Sequence, residues 1–281
     1  MNLLSFKWKR DGYRSQFDSS HVNTCFRMWC RHSTVPFNFI CVTDDPAGLD
    51  SAIQPVELWP EPVPGYGGGN APNCFRRLRM FSKELSELFG PHWIWTDLDC
   101  LVTGNVDHIL LDDSDLKIWR PDGGRSKCNG SLVSHNAGTR QYLWDTFNPE
   151  SIGSVETFRA QTRHLGSDQA WIAQQLTPAD RFFESLDGVY AFRALRNSFR
   201  ERQLGKLQKL VTRKRNGLMP AARERDAARR ERRHTRLDAR EQERMETKLP
   251  SNCALVYFPG QWHPWDREIQ RTYPWVEEHY R

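Results

Sequence analysis

Short apolar runs alternate with polar and turn-forming stretches along the first hundred residues. The runs Leu3–Trp8, Phe37–Thr43 and Val56–Trp59 are short enough to be strands, and polar or proline-rich sequence follows each one. Apolar residues recur with helical spacing from about Ser19 to His32, and again from Phe75 to Phe89. Strands that alternate with helices predict an α/β fold with a mostly parallel, doubly wound sheet.

A further apolar run leads directly into two acidic residues, Asp97 and Asp99. If Ile94–Thr96 is a strand, both carboxylates lie at its carboxyl end and point to the same side. Two oxygen ligands that leave positions open for phosphate oxygens suit Mn²⁺ or Mg²⁺. The alternative is a polar turn without a ligand, because an Asp-x-Asp pair is common by chance.

The pattern continues beyond the acidic pair. Strands or strand-like runs are predicted at Leu116–Arg120, Asn129–Ser134, Phe182–Phe192 and Ala254–Phe258. Helices are predicted at Gln141–Phe147, at Ala170–Leu176 with Ser167 or Asp168 as N-cap, and around Trp275 and Tyr280. A loop rich in proline and glycine at residues 60–72 is either a lid or a connector.

Composition places the chain among globular enzymes. Its 281 residues, with 11 Trp and 15 Phe, can bury one large α/β core or two modest ones. No apolar stretch has the form of a signal peptide or the length of a membrane helix. Seven scattered cysteines without a Cys-x-x-Cys pair favour buried thiols over zinc ligands or disulfides. We therefore expect a cytoplasmic protein, in the host cytoplasm if it comes from a phage.

The net charge of +5 is concentrated in one segment. Residues 196–248 hold 18 Lys and Arg against 8 Asp and Glu, whereas the rest of the chain holds 22 against 27. Apolar residues nearly vanish after Pro220, although helix-forming residues dominate. Six arginines recur every three or four residues and would line one face of a helix: Arg225, Arg229, Arg232, Arg236, Arg240 and Arg244.

Such a stripe is either a solvated helix face or a surface for a polyanion. Few acids stand four residues away from these arginines, which favours the polyanion. DNA fits better than an anionic membrane, because the segment lacks the bulky apolar face of an interfacial helix. Since a strand-like run follows it, the segment is predicted to be a basic helical insertion at 196–248, between a catalytic core at 1–195 and a return strand and tail at 249–281.

Several short motifs follow one another in a recognisable order: Thr43-Asp44-Asp45, Arg77-Leu78, Trp95-Thr96-Asp97-Leu98-Asp99, Asn129-Gly130-Ser131, Asp168-Gln169 and Gly260-x-x-His263-Pro264-Trp265. In this order they resemble the nucleotide-sugar transferases of the GT-A fold. The nearest relatives by this resemblance are the family 8 retaining glycosyltransferases and their phage and bacterial cousins. It covers roughly residues 1–192 and 250–266 and implies a Rossmann-like α/β fold.

The resemblance implies a role for each motif. Asp97 and Asp99 match the metal-binding pair, and a divalent cation there neutralises the charge on a departing nucleoside diphosphate. Asp168 and Gln169 match the pair near the anomeric carbon of the donor sugar in retaining members. The residues predicted to bind the donor are Asp45, with Asp44 as runner-up, Arg77 and Asn129, with Lys7 and Trp8 bordering the nucleotide at the end of the first strand.

The chain departs from this family near its C-terminus. Relatives have a third metal ligand, a His, where Tyr257 or Pro259 stands here, and a Lys where His263 stands. His263 is therefore predicted to ligate the metal or to contact the donor diphosphate. The alternative is a turn histidine packed on Trp262 and Trp265. This departure puts the metal affinity in question.

The chain is thus predicted to be a metal-dependent glycosyltransferase that uses a nucleotide sugar, with UDP as the expected nucleotide, and retains the sugar configuration. The expected acceptor is a nucleic acid carrying a modified base, and a cell-surface glycan is the alternative. One rival is a catalytically weak relative that binds nucleic acid through the basic segment. Another is a two-metal phosphodiesterase built on Asp97, Asp99 and His263 with Asp44 and Asp45. The donor sugar and the oligomeric state are left open.

Overall fold

The computed structural model describes residues 1–9, 16–69, 73–122, 126–197 and 248–281. The six arginines predicted to bind nucleic acid lie outside the described residues. The strands are β1 (Asn2–Lys7), β2 (Asn38–Thr43), β3 (Ile53–Glu57), β4 (His92–Thr96), β5 (Cys100–Val102), β6 (Leu116–Trp119), β7 (Asn129–Asn136), β8 (Arg181–Phe183), β9 (Val189–Ala191) and β10 (Leu255–Tyr257). The helices are α1 (Ser19–His32), α2 (Ser86–Phe89), α3 (Asp107–Leu110), α4 (Tyr142–Asp145), α5 (Val155–Thr162), α6 (Asp168–Gln175), α7 (Arg267–Thr272) and α8 (Pro274–His279).

Seven strands form the main sheet in the order β3-β2-β1-β4-β7-β6-β8. Strand β1 lies between β2 and β4 and is parallel to both, and β2 is parallel to β3. Strand β7 is antiparallel to β4 and β6, while β6 is parallel to β8. Most pairings are therefore parallel, and the predicted mostly parallel α/β fold is confirmed.

A smaller sheet joins distant parts of the chain in the order β5-β10-β9. Strand β10 follows the basic segment in the sequence, and it pairs in parallel with β9, which precedes that segment. It also pairs antiparallel with β5, which directly follows Asp99. The C-terminal return strand thus lies beside the chain that leaves the acidic pair.

Both faces of the main sheet are covered, which explains why its central strands read as continuous apolar runs. Leu3 and Ile94 face one core cluster, which includes Trp29 of α1. Leu4 and Trp95, one residue further along each strand, face the other cluster. Because successive side chains of a strand alternate between faces, each central strand contributes to both cores.

The prediction of one helix over residues 75–89 is wrong. The chain instead forms 3₁₀ segments at Phe75–Phe81 and Lys83–Leu85 before the short helix α2. Ser82 has an extended backbone (φ −70°, ψ 129°) and separates the two segments. Side chains three residues apart align in 3₁₀ geometry, so the apolar spacing that predicted a helix still builds one buried face.

The prediction of one strand-like return over Phe182–Phe192 is also wrong, because β8 and β9 belong to different sheets. Gly188 ends the turn between them with φ +74°, and a Cβ there would lie 2.2 Å from the carbonyl oxygen of Asn252. Only glycine fits that backbone and that close approach. Strand β5 and helices α3 and α5 are additional elements that the apolar pattern did not predict.

The cysteines follow the expectation of buried thiols in part. All seven are free, and five of them are buried, while Cys30 is exposed and Cys74 is half-buried. Within the described part of the chain, no helix combines the length and the apolar character that a bilayer crossing requires.

Candidate active site

A pocket lies at the carboxyl ends of β1 and β4, where ligands bind in open α/β sheets. Seven of the residues predicted for the site line it together: Trp8, Arg77, Asp97, Asp99, Asn129, Asp168 and Gln169. They come from five separate parts of the sequence. The topology of the sheet therefore assembles most of the predicted donor and catalytic residues around one cavity.

The centre of the site is a buried arginine that bridges two carboxylates. Arg77 is only 6% exposed. Its Nε donates to Oδ2 of Asp168 at 2.7 Å, and its Nη1 donates to Oδ1 of Asp97 at 2.5 Å. Although burial opposes the positive charge, the two carboxylates hold the pKa of Arg77 above its usual value. One cation is thus shared between the predicted metal-binding and catalytic acids.

Asp168 is the first residue of α6 and is almost wholly buried. Burial raises the pKa of its carboxyl above the usual value, and the charge and hydrogen bond of Arg77 oppose that rise. The N-cap position belongs to Ser167, whose Oγ accepts a hydrogen bond from the Cys74 amide at 2.6 Å. The side chain of Asp168 is therefore committed to Arg77 rather than to capping the helix.

Gly130 gives this ion-pair network its space. A Cβ at Gly130 would lie 3.1 Å from both Nη2 of Arg77 and Oδ2 of Asp168, closer than side chains normally approach. Its carbonyl oxygen accepts hydrogen bonds from Trp95 Nε1 at 2.9 Å and from Arg77 Nη1 at 3.3 Å. The glycine between Asn129 and Ser131 thus lets strand β7 approach the arginine closely.

Gln169 is held at both ends of its side-chain amide. Its Oε1 accepts a hydrogen bond from the Gly130 amide at 3.3 Å, and its Nε2 donates to the Leu165 carbonyl at 2.8 Å. The chain at Gly166 has φ +92°, and a Cβ there would collide with the Gln169 side chain at 2.6 Å. The amide is therefore fixed in orientation on the pocket wall, which suits a residue that positions a ligand.

Asp97 and Asp99 flank Leu98, which is buried in the core. The Asp97 carboxylate is 30% exposed, and its Oδ2 accepts a hydrogen bond from Ser131 Oγ at 2.6 Å. Asn129, the first residue of β7, uses its side-chain oxygen to accept a hydrogen bond from the Ser131 amide at 2.9 Å. Asn129 lines the pocket, and its role in donor binding stays a prediction.

The donor set fits a divalent cation in part. Asp97 and Asp99 line the same pocket, and carboxylate oxygens are the ligands that Mn²⁺ and Mg²⁺ take. Among the described residues no cluster of three or more His, Cys, Asp or Glu side chains is placed to hold a metal. Two protein ligands match a site that water and phosphate oxygens complete.

Tyr257 stands at one of the two positions where the family resemblance implies a third metal ligand, and it does not line the pocket. Tyr257 is fully buried, its hydroxyl lies 2.7 Å from Thr96 Oγ1, and its ring packs on Trp119. Burial raises the pKa of its phenol well above the usual value, so the phenolate that could ligate a metal is disfavoured. Pro259 lines the pocket but has no ligating group.

His263 packs on an indole, as its alternative interpretation predicts. Its ring stacks on Trp265 with centroids 4.5 Å apart and planes 3° apart, and the residue is 8% exposed. Its amide donates to the Asp266 carboxylate at 2.7 Å. His263 is not among the residues that line the pocket. Its role in metal ligation or diphosphate binding stays a prediction.

The remaining predicted donor residues lie at the ends of β1 and β2. Trp8 lines the pocket, whereas Lys7 is buried and Asp44 and Asp45 lie outside the lining. Asp45 accepts a hydrogen bond from the Ala47 amide at 3.0 Å, and that bond, together with nearby lysines, lowers the pKa of its carboxyl. Asp44 accepts from the Lys9 amide at 3.2 Å. The Asp45 carboxylate thus closes a local turn, whereas the Asp44 carboxylate joins the chain after β2 to the chain after β1.

Several residues that line the pocket were given no site role by the sequence analysis: Phe6, Phe17, Asn73, Cys74, Ser131 and Ser167. Ser131 entered only as part of a motif and Ser167 only as a possible N-cap. Phe17 and Asn73 border the segments at 10–15 and 70–72 that the structure does not describe. No spacing rule connects them to the acidic pair.

The fold has counterparts among solved structures. The galactosyltransferase LgtC, solved with donor and acceptor sugar analogues, matches 100% of this chain and 97% of its own at a TM-score of 0.55 and 12% identity. The Streptococcus pneumoniae TIGR4 glycosyltransferase GlyE matches 98% of this chain and 63% of its own, with a TM-score of 0.52 and 12% sequence identity. No family model and no curated protein sequence matches the chain. The likeness at this identity concerns the fold, and it confirms the predicted GT-A-like architecture.

Proposed function

We propose that this protein is a metal-dependent glycosyltransferase that takes its sugar from a nucleotide-sugar donor, with UDP as the expected nucleotide. The observation that carries the proposal is the assembly of Asp97, Asp99, Asp168 and Gln169 around one pocket at the carboxyl edge of a GT-A-like sheet. LgtC, whose fold matches this chain over 97% of the LgtC length, was solved with donor and acceptor sugar analogues. The acceptor predicted from the basic segment is a nucleic acid, with a cell-surface glycan as the alternative.

The residues divide into two functions. A divalent cation held by Asp97 and Asp99 would neutralise the charge that develops on the leaving diphosphate. On the other side of Arg77, Asp168 presents a buried carboxylate to the pocket. Positive charge grows on the anomeric carbon as the glycosidic bond to phosphate lengthens, and a fixed carboxylate stabilises that charge. Gln169 and Asn129 orient the sugar, and transfer with retention is the expected outcome.

Arg77 supplies the positive charge that allows Asp97 and Asp168 to lie in the same pocket. Asp168 and Asp97 both lie in a pocket that must also accept a negatively charged donor. Without a counter-charge, the buried carboxyl of Asp168 would take up a proton near neutral pH more readily. The charge and hydrogen bond of the guanidinium oppose the rise in the pKa of Asp168, and its directed N–H bonds fix the geometry of both acids.

A second candidate function is that of a catalytically weak relative that binds nucleic acid through its basic segment. The buried Tyr257 favours it, because that residue provides no third ligand and metal affinity falls accordingly. The fixed Gln169 and the shared Arg77 network favour the enzyme, since a module that binds only through the basic segment does not need a buried carboxylate that lines a pocket.

A thermal-shift panel of nucleoside diphosphates and nucleotide sugars, with and without Mn²⁺, tests the proposal. A ligand at 100 times its Kd adds about 2.7 kcal/mol to the free energy of unfolding, which is readily seen. Stabilisation by one nucleotide only when metal is present is the expected result. A folded protein that none of the nucleotides stabilises would instead favour the nucleic-acid-binding relative.

Asp99→Asn tests the metal site directly. It should leave the fold intact and remove Mn²⁺-dependent donor hydrolysis, because an amide is a poor substitute for a charged oxygen ligand. Asp113→Asn is the matched control: it is exposed, changes the charge equally and lies outside the pocket lining. Unchanged turnover in Asp99→Asn would rule out the metal assignment.

A further inference from the structure

Two arginines and a tryptophan form a cluster beside the pocket, after the end of β9. The guanidinium carbons of Arg193 and Arg196 lie 5.6 Å and 4.7 Å from the centroid of the Trp262 ring. Trp262 is half-buried and packs edge-on against the buried Phe192. A cation within about 6 Å of an indole is attracted to it. The indole therefore holds two positive side chains close together. We refer to Arg193, Arg196 and Trp262 as the arginine–tryptophan cluster.

The cluster adjoins the wall of the pocket. Gly260 lines the pocket and has φ +114°. A Cβ placed on Gly260 would lie 3.4 Å from Nη2 of Arg193, which is ordinary van der Waals contact. One guanidinium of the cluster is thus next to a residue that any ligand in the pocket approaches. The cluster is therefore in contact with the residue that lines this side of the pocket.

Arg193 and Arg196 differ from Arg76 and Arg77 in whether a carboxylate pairs with them. Arg76 and Arg77 each form ion pairs with carboxylates. Within the part of the chain that the structure describes, no carboxylate lies at ion-pair distance from Arg193 or Arg196. A contact with an indole ring does not use up the hydrogen-bond donors of a guanidinium, so its N–H groups can still donate. The cluster therefore presents oriented donors to an anion.

The sequence favours a phosphate polymer as that anion. Arg196 is the first residue of the segment with 18 Lys and Arg against 8 Asp and Glu, which continues through residues 198–247. A sequence in which positive residues recur over so great a length matches a ligand whose charges repeat, as phosphodiester groups do. The donor diphosphate is the other source of phosphate, but it carries only two groups and needs no such extent.

We propose that the arginine–tryptophan cluster binds the phosphodiester backbone of a polynucleotide acceptor and directs that acceptor to the pocket. This inference rests on the proposed glycosyltransferase function and specifies its acceptor. Phosphate contacts position a nucleic acid without reading its sequence, so the cluster sets the register of the acceptor and the pocket selects the base that is modified. Arg193, adjacent to Gly260, would hold the phosphate nearest to the reacting nucleotide.

The test measures binding of a fluorescently labelled, mixed-sequence DNA oligonucleotide to the full chain by anisotropy over a series of salt concentrations. Arg193→Gln/Arg196→Gln should weaken binding roughly ten- to a hundredfold at 0.1 M salt and lower the slope of log K against log salt by about two. The control Arg267→Gln/Arg271→Gln removes two exposed arginines from α7 and should change neither quantity. Trp262→Leu keeps both charges and should weaken binding about two- to fivefold, because the stacking surface is lost.

A parallel titration with UDP and Mn²⁺ separates the acceptor from the donor. The double arginine variant should bind UDP as the wild type does. Equal oligonucleotide affinity and slope in the Arg193/Arg196 and Arg267/Arg271 variants would overturn the proposal. Lost UDP affinity with unchanged oligonucleotide binding would also overturn it and assign the cluster to the donor diphosphate. Arginine-dependent oligonucleotide binding in a protein that no nucleotide stabilises would contradict the acceptor role together with the proposed function, and would leave a nucleic-acid-binding protein.

Discussion

Two aspartates, Asp107 and Asp168, each occupy the first residue of a helix, yet their surroundings differ in every other respect. Asp107 accepts hydrogen bonds from the Thr34 amide at 2.8 Å and from Asn105 Nδ2 at 2.9 Å, at the protein surface. These bonds lower the pKa of its carboxyl. Asp168 is 2% exposed, and burial raises the pKa of its carboxyl although Arg77 opposes the rise.

The difference separates an acid that holds the fold together from an acid that is available for chemistry. The Asp107 carboxylate accepts hydrogen bonds from the amide and the hydroxyl of Thr34, and these neutral donors connect the chain after α1 to the start of α3. Asp168 is held by one cation that it shares with Asp97, and it lines the pocket. Their place in a helix does not distinguish them, because acids are favourable in the first turn of any helix.

The largest contrast is expected in activity. Asp168→Asn keeps the shape of the side chain but removes the charge that stabilises the reacting sugar, so donor turnover should fall roughly a thousandfold. Asp107→Asn should keep turnover near the wild-type value, because that residue is outside the pocket lining. Initial rates with a nucleotide sugar, and circular dichroism to show that both variants fold, provide the measurement. Equal rates in the two variants would remove the functional distinction between these acids.

The next contrast concerns the cation that Asp168 shares with Asp97. Arg77→Met should lower the free energy of unfolding by about 3–5 kcal/mol, because it leaves a buried carboxylate without its partner. Arg79→Met removes a cation that packs on Trp59 and should cost roughly 1 kcal/mol or less. Urea denaturation measures both. Adding Asp168→Asn to Arg77→Met should recover much of the loss, and a strictly additive double variant would show that the two residues do not interact.

The smallest effect is expected in the pH dependence of the stability that Asp107 contributes. Because the folded-state pKa of Asp107 is lower than its ordinary value, its stabilisation is present above about pH 4 and is lost as the pH falls through the folded-state pKa. Asp107→Asn should therefore lower the melting temperature by a few degrees at pH 7, and this difference should shrink in acid. Melting curves from pH 7 to pH 2.5 measure it. A difference that persists unchanged at the lowest pH would show that Asp107 acts by shape alone.

Much of the fold could be predicted because it depends on local pattern. The central strands are buried on both faces, so they appear as unbroken apolar runs, and the acidic pair at the end of β4 is visible as a break in polarity. The 3₁₀ segments at 75–85 were predicted as a helix, because i, i+3 spacing is common to both geometries. Separate sheets for β8 and β9 could not be predicted, since the partner of β9 lies beyond the basic segment.

The candidate site was predictable as a set of residues but not as a network. Asp97, Asp99, Asp168 and Gln169 were expected near the donor, and the pocket includes them all. The expectation for Arg77 was contact with the donor, whereas its described bonds are to Asp97, Asp168 and Gly130. Nothing in the spacing of these residues shows that one guanidinium serves two carboxylates from distant segments.

The sequence by itself determined the order β1-α1-β2-β3, the acidic pair at the end of β4 and the concentration of positive charge in residues 196–248, because each is a local property of the chain. The tertiary structure alone decided that Asp168 is buried against Arg77, that Tyr257 turns inward to Thr96, and that Trp262 gathers Arg193 and Arg196 beside the pocket. Burial and long-range contact set the charge and orientation of a side chain. Those quantities exist only once distant segments have packed together.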